Sequence, residues 1–506
     1  MVSSLLVPTL SQASALLPLL LLVAPLLYLV YQRRLHPLAA HPGPFWASLT
    51  RLWMAKHSWD GDMHTTMIAL HAKHGPFVRT GPNELSVSDL SAIKTIYGAG
   101  SKFRKSDWYS VWQGHRKFDL FAERDERIHG EQRRLLSRMY AMESLRGLEP
   151  FVDDAVNVFL DNMRQRSHQV IDLGIWVQLF AFGKAPPSYV IGEITFSKRF
   201  GFMDSGRDDG SFEEINGALK SACWIGQMPA LYWLHDALMP YIGNRLGIAG
   251  RDGYIRQFAL REIAARQDRP GNEQDMLSKL HATQKEKPLE MDANAVASTA
   301  TSNMFAGSDT TAISTRAILY HLLKNPPCLA TLLAEIAHRR AQGLLSSPVK
   351  FAEAEQMPYL QAAMYEALRL HPAVGMSLPR TVPAGGATVA GRHLPAGTVV
   401  GANAWVLHRD REVFGDDVEA FRPERWMQGE PSAGAMKRFF FAFGAGARTC
   451  IGRNISWMEM SKLIPTLFMH YDLELSEPEK EWTTNCWWFV MQEGLNVKMS
   501  PKALVD

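Results

Sequence analysis

Residues 443–452 read Phe-Gly-Ala-Gly-Ala-Arg-Thr-Cys-Ile-Gly, a run in which one thiol, Cys450, is flanked by residues too small to crowd it. A thiolate is a soft ligand, and in such a loop it can approach a flat macrocycle with no side chains in the way. Heme iron is therefore the candidate metal. Gly444 and Gly446 permit the sharp turns that direct N–H groups at the sulfur, and Arg448, two residues before the thiol, is placed to reach a heme carboxylate.

A second string, Ala306-Gly307-Ser308-Asp309-Thr310-Thr311, lies inside a long helix-forming stretch. Glycine and aspartate are costly there relative to alanine. A position with almost no side chain lets a helix lie against a flat cofactor and still leaves room for a diatomic ligand. His129 and Arg133 are four apart in another helix-forming segment, so both face one acceptor. Glu366 and Arg369 are three apart in an apolar run, where charges are expensive to bury unless paired.

These strings resemble the motifs of the cytochrome P-450 superfamily. Its heme-thiolate signature, Phe-x-x-Gly-x-Arg-x-Cys-x-Gly, is matched at Phe443, Gly446, Arg448, Cys450 and Gly452. Residues 306–311 resemble its oxygen-activation motif, while Glu366, Arg369 and Pro423-Glu424-Arg425-Trp426 resemble its Glu-x-x-Arg and Pro-Glu-Arg-Phe segments. The resemblance implies noncovalent heme b with the Cys450 thiolate as axial ligand. It also implies that Thr310 orders the oxygen species and that Asp309 belongs to the proton route. Glu366, Arg369 and Arg425 become a scaffold network outside the chemistry. His129, Arg133, Arg380 and Arg448 become partners of the heme carboxylates, with Gly444 and Gly446 in the cofactor loop. The family commonly has tryptophan where this chain has His129, whose charge depends on pH near neutrality.

Regions that contact substrate in the family are rich in large apolar side chains here. Trp108, Trp112, Phe305, Val374, Met376, Leu378 and Trp488 are the candidates. The chain looks most like fungal microsomal members acting on secondary metabolites, on strings such as His41-Pro42-Gly43-Pro44 and Gly81-Pro82-Asn83-Glu84. The implied reaction is oxidation of a small apolar metabolite with O2 and electrons from NADPH-cytochrome reductase, with cytochrome b5 as a further donor. Oxidative coupling, ring closure or desaturation without net oxygen insertion stays open as the alternative. Peroxygenase-like enzymes usually alter the acid-alcohol pair that Asp309 and Thr310 retain, and a heme sensor would not require it.

The elements that must position these groups are mainly α-helical. A central helix runs from a cap at Asp292 to Asn325-Pro326-Pro327, about 33 residues. A small antiparallel β region draws on residues 77–88 and 387–405, a helix covers residues 189–202, and another runs from Ile451 to Tyr471. Residues 485–491 form a loop or hairpin. The expected division is a membrane anchor over 1–31, a basic and proline-rich hinge over 32–45, and a heme-thiolate catalytic domain over 46–506. The first 31 residues carry no charged side chain and Arg33-Arg34 follow, which predicts a single span in the endoplasmic reticulum bilayer with the catalytic body in the cytosol.

Hydrophobic residues make up 46% of the chain and charged ones 21%, with a formal net charge of +3 and no long basic run, so nothing calls for nucleic acid. Cys223, Cys328, Cys450 and Cys486 show no paired spacing, which argues against zinc or a disulfide framework. Neither a dinucleotide fingerprint nor the length for a flavin domain is present. Electrons must therefore come from a separate reductase, for which Arg134, Lys437 and Arg438 offer positive charge.

Overall fold

The computed structural model describes residues 23–182, 190–197, 210–248, 253–266, 273–427 and 433–502. The helices that bear on the site are α1 (Leu90–Tyr97), α2 (Trp108–Gln113), α3 (Glu126–Ser137), α4 (Leu173–Phe182), α5 (Val190–Phe196), α6 (Pro229–Ile242), α7 (Ala293–Lys324), α8 (Pro358–Leu370) and α9 (Arg453–His470). Asp292 caps α7 as expected, its carboxylate accepting from the Ala295 N–H at 2.8 Å. The helix has 32 residues, so it spans roughly 48 Å. It stops where Asn325 and two prolines follow. Ile313, Ala317, Ile318 and Leu322 seat it in the main core together with Leu368 of α8 and Leu463 of α9. Of the helix expected over 189–202, Val190–Phe196 is helical and residues 198–202 lie outside the described set.

The sheet beside α1 contains β1 (Phe77–Gly81), β2 (Glu84–Val87), β3 (Arg104–Lys105), β5 (Arg380–Thr381) and β8 (Val399–Gly401), in the order β1-β2-β8-β5-β3. Within the stretch 77–88 expected to supply strands, β1 and β2 pair antiparallel. One pairing departs from the expected pattern, because β2 and β8 run parallel, with Glu84 opposite Val399. Three hundred residues separate them, and a connection of that length is free to return the chain in either direction. Three further small antiparallel sheets are formed by β4 (Val170–Asp172) with β12 (Asn496–Pro501) and β9 (Tyr471–Leu475), by β6 (Ala387–Val389) with β7 (Arg392–Leu394), and by β10 (Thr483–Trp487) with β11 (Phe489–Glu493).

The expected membrane span is not shown. Residues 1–22 lie outside the described set, residues 23–30 are helical, and among the described residues no helix is long and apolar enough to cross a bilayer. The segment expected as a hinge is docked on the sheet. Arg79 of β1 donates to the Gln32 carbonyl (2.7 Å) and to its side-chain Oε1 (2.6 Å), and the Arg79 N–H donates to the Pro42 carbonyl (2.7 Å). Leu38 is fully buried in the adjoining core.

The Glu366 network is fully buried. Arg369 donates through Nε and Nη2 to the two oxygens of Glu366 (2.8 Å each), Arg425 Nε donates to Oε1 (3.0 Å) and Trp426 Nε1 to Oε2 (2.7 Å). Burial pushes the Glu366 carboxyl up, but Arg369, Arg425 and the Arg422 N–H outweigh it and hold the group below its ordinary range. Arg369 also donates to the His408 carbonyl, and His408 Nδ1–H donates back to the Arg369 carbonyl (3.0 Å each). That fixes the tautomer, so His408 Nε2 accepts from the Phe441 N–H at 2.8 Å, at the head of the Cys450 loop.

Glu366→Ala takes the shared carboxylate from two buried guanidinium groups, leaving Arg425 with Asp417 at 3.1 Å. The expected loss is about 3–5 kcal/mol of stability, read as a lowered thermal midpoint. Because the folded carboxyl is depressed, its contribution is complete above the unfolded glutamate range and is lost as pH falls through the folded value. Wild type should therefore show an acid loss of stability that Glu366→Ala lacks, measurable by denaturation at a series of pH values.

Candidate functional site

A cavity of about 310 Å³ opens between the Cys450 loop and the middle of α7. The loop closes on itself through the Cys450 N–H, which donates to the Phe443 carbonyl at 2.9 Å. Gly444 and Gly446 both adopt left-handed conformations, at φ 69° and 62°. Only Gly444 lines the cavity. Gly446 faces α1 instead: a Cβ there would stand 1.9 Å from the Tyr97 carbonyl oxygen, so this glycine serves close packing of loop on helix.

Cys450 is exposed to the cavity while the surrounding protein shields it from bulk water. Burial pushes its thiol up, and the N–H groups of Gly452 and Arg453 at the start of α9, with the charge of Arg133, pull it down. The N–H groups expected around the sulfur are therefore supplied by a helix N-terminus.

Across the cavity, α7 presents Phe305, Ala306, Gly307 and Thr310. Thr310 donates its hydroxyl to the Ala306 carbonyl one turn back, at 2.7 Å. A Cβ on Gly307 would lie 2.7 Å from Ile191 Cδ1, so the absent side chain also lets α5 approach α7. Asp309 does not line the cavity. It is buried on the flank of the helix, where Gln178 Nε2 of α4 donates to its Oδ1 at 2.9 Å. Consecutive helical residues point about 100° apart, so only one of the pair can face the notch.

One edge of the cavity is strongly cationic. His129 and Arg133 of α3, Arg380 of β5, Arg448 and Lys105 of β3 all line it. Arg448 donates to both oxygens of Glu126 (2.8 and 3.0 Å), Arg380 Nη1 lies 3.7 Å from the same carboxylate, and Arg133 donates to the Thr449 carbonyl (2.9 Å). Lys105 was not a sequence candidate. It is buried directly opposite Arg380 across the β3–β5 pair, 4.1 Å from the Tyr109 ring centre. Burial, then Arg380 and Arg448, hold its ammonium well below the usual lysine range. The same field acts on His129, which burial and the cations Arg448, Lys105, Arg133 and Arg380 bring down to about 3.

Like charges buried face to face across a strand pair are destabilising without an anion between them. Arg380 Nε has no hydrogen-bond partner, although it is buried. Four cationic side chains on one edge, with Glu126 the carboxylate that Arg448 and Arg380 share, beside a slot that ends at a thiol, fit a flat group with two carboxylates. Heme is such a group.

The remaining wall is aromatic and apolar. Trp112, Phe121, Phe305 and Trp488 line it, with Val374, Met376 and Leu378 at its edge. Trp488 occupies the β10–β11 turn at φ 73°, a left-handed conformation that costs a bulky residue energy. It is held there by the Gly375 N–H, which donates to the Trp488 carbonyl at 2.9 Å, and by Trp108, stacked on it at 4.8 Å. Trp108 is therefore behind the wall and does not line the cavity, contrary to expectation. Glu366, Arg369 and Arg425 also lie away from the cavity, as a scaffold requires.

Comparison with known proteins agrees with this geometry. The cytochrome P-450 family profile matches residues 40–499. The chain is 41% identical to cytochrome P-450 monooxygenase hepC of Aspergillus oryzae, over 90% of this chain and 91% of that protein. It is 38% identical to cytochrome P-450 monooxygenase cicH of Emericella nidulans, over 91% and 93%. Pisatin demethylase of Fusarium vanettenii is 35% identical, over 94% and 91%. A match that runs through nearly the whole body, with relatives this similar over more than nine-tenths of their length, makes the chain a member of the cytochrome P-450 family, monooxygenases that hold heme by a cysteine thiolate.

Proposed function

We propose that the chain is a membrane-anchored monooxygenase of fungal secondary metabolism. It oxidises a small apolar metabolite with electrons from an NADPH-dependent cytochrome reductase. The observation that carries this reading is a single cavity bounded by Cys450, the α7 notch, the cationic edge and the aromatic wall. The relatives' names, monooxygenase and demethylase, support oxidation as the reaction class.

Heme, when bound, supplies the oxygen and electron chemistry. The chain's own residues do the rest. Cys450 would be the thiolate ligand of heme, with the sulfur charge steadied by the Gly452 and Arg453 N–H groups. Arg133, Arg380, Arg448 and His129 would hold the carboxylates of the cofactor. Trp112, Phe121, Phe305 and Trp488 keep water out and give an apolar substrate a surface to lie on. Thr310 can turn its hydroxyl from the Ala306 carbonyl to a group in the notch, and Asp309 brings protons to that side of α7.

For location, the reading rests on the uncharged residues 1–31 followed by Arg33 and Arg34, and on exposed apolar groups nearby. Leu26, Leu27, Leu35 and Trp46 are exposed, as are Leu234, Tyr241 and Ile242 of α6. Positive charge for the reductase comes from the exposed Arg134, Lys437 and Arg438.

Reconstitution with a reductase and a metabolite extract, followed by mass spectrometry, tests the reaction. Gain of one oxygen, or loss of a methyl group, marks monooxygenation; loss of two hydrogens or joined rings marks the alternative. Cys450→Ser should lose the long-wavelength band of the reduced carbon monoxide complex, and a retained band would exclude Cys450 as ligand. Thr310→Ala should keep that band and substrate binding, while product per NADPH falls by at least about tenfold in favour of hydrogen peroxide. Asp309→Asn should slow turnover more than it weakens substrate binding. Removal of residues 1–31 should move most of the protein to the soluble fraction. Protease protection of the body inside sealed microsomes would refute the cytosolic orientation.

A further inference from the structure

Asp309 is held by a chain of buried groups that lies outside the cavity. Arg316, two turns further along α7, is buried and donates through Nε to the Gly174 carbonyl (2.7 Å) and through Nη2 to Gln178 Oε1 (2.7 Å). A guanidinium has no acceptor, so the Gln178 oxygen must face Arg316 and its NH2 must face Asp309. The amide therefore has one permitted orientation. In it Nε2 donates to Asp309 Oδ1 at 2.9 Å, and the amide carries the pull of the arginine to the carboxylate. Gly174 belongs to the same arrangement, because a Cβ there would stand 3.3 Å from Arg316 Nε.

We propose that Gln178 is a positioning residue for proton delivery: oriented by Arg316, it parks the Asp309 carboxylate on the α4 side of α7, and protons reach the Thr310 side only when the Gln178–Asp309 hydrogen bond opens. This rests on the reading that Asp309 handles protons. A carboxylate that faced the cavity at rest would add a permanent negative charge beside an apolar substrate. Parked on Gln178, it stays near without intruding. Nothing is oxidised or reduced at Gln178; a proton taken up on Asp309 Oδ1 displaces the hydrogen bond that oxygen accepts, one taken up on Oδ2 weakens it, and release of the proton restores it.

Gln178→Glu discriminates between a positioning and a merely structural role. The new carboxylate still accepts from Arg316, so the buried guanidinium keeps its partner, but it cannot donate to Asp309 unless it is protonated. The heme-loaded, full-length protein is used, with purified reductase and no added substrate. Oxygen consumed and peroxide formed are counted per NADPH in H2O and D2O. Positioning predicts that Gln178→Glu alters oxygen consumption by at least about threefold and changes its solvent isotope effect, and that it adds nothing further in Asp309→Asn. Infrared difference spectra should show a carboxylic-acid band in Gln178→Glu that is lost in Gln178→Glu/Asp309→Asn, as two facing carboxylates share a proton. Wild-type behaviour of Gln178→Glu beside an impaired Asp309→Asn would overturn the proposal and leave the role of Asp309 intact. Additive effects in the double variant would also overturn it. Wild-type behaviour of Asp309→Asn itself would overturn the underlying reading instead, and the proposal with it. If Gln178→Glu does not hold heme, Gln178→Met takes its place in the same cycle, with the same turnover criteria and with the infrared band assigned to Asp309.

Discussion

The Glu366 carboxylate is the point through which this fold holds its site together. It takes hydrogen bonds from Arg369, Arg425, Trp426 and the Arg422 backbone in a region with no exposure to water. Two guanidinium groups around one carboxylate would leave a surplus charge; Asp417 Oδ1, 3.1 Å from Arg425 Nη1, answers it, and Arg369 also donates to the carbonyls of His408 and Val418. Through His408 the same network reaches the Phe441 N–H, and so the start of the loop that carries Cys450. The sulfur is aimed by charges that never touch it.

A second constraint is the arrangement of charge around the cavity. The protein concentrates Lys105, Arg133, Arg380 and Arg448 where a neutral interior would be more stable, a cost that carboxylates brought by a cofactor would offset. The result is a polarised space. One edge is suited to anions and the remaining wall to apolar rings. Neutral His129 belongs to the charged edge without adding to its charge.

Much of this was legible in the sequence, for physical reasons that differ from motif to motif. The Cys450 loop, the α7 notch and the Glu366–Arg369 pair are local: glycine tolerance, helix cost and side-chain spacing operate within a few residues. Asp292 and Asn325 likewise announce the ends of α7 by capping and by the prolines that follow. What stayed hidden depends on contacts between distant segments. Lys105 matters because β3 pairs with β5, and Gln178 because α4 packs on α7. Trp108 and Trp488 look equivalent in sequence, yet one lines the cavity and the other braces it. Gly446 fits the signature, but its conformation answers to Tyr97, more than three hundred residues earlier. Asp309 and Thr310 are neighbours in the motif and look in different directions in the fold.

The grip of Arg79 on Gln32 carries a mechanical consequence. A proline-rich connector left free would act as a tether, letting the body tumble over whatever surface holds the amino end. Here the Gln32 carbonyl, the Gln32 side chain and the Pro42 carbonyl are all bonded to one residue of β1, and Leu38 is sealed beneath them. The helical residues 23–30 thus leave the body at a set angle, more like a lever than a leash. The sheet that grips Gln32 through Arg79 is the one whose β5 strand bears Arg380 at the cavity, so the connector and the cationic edge share one rigid element.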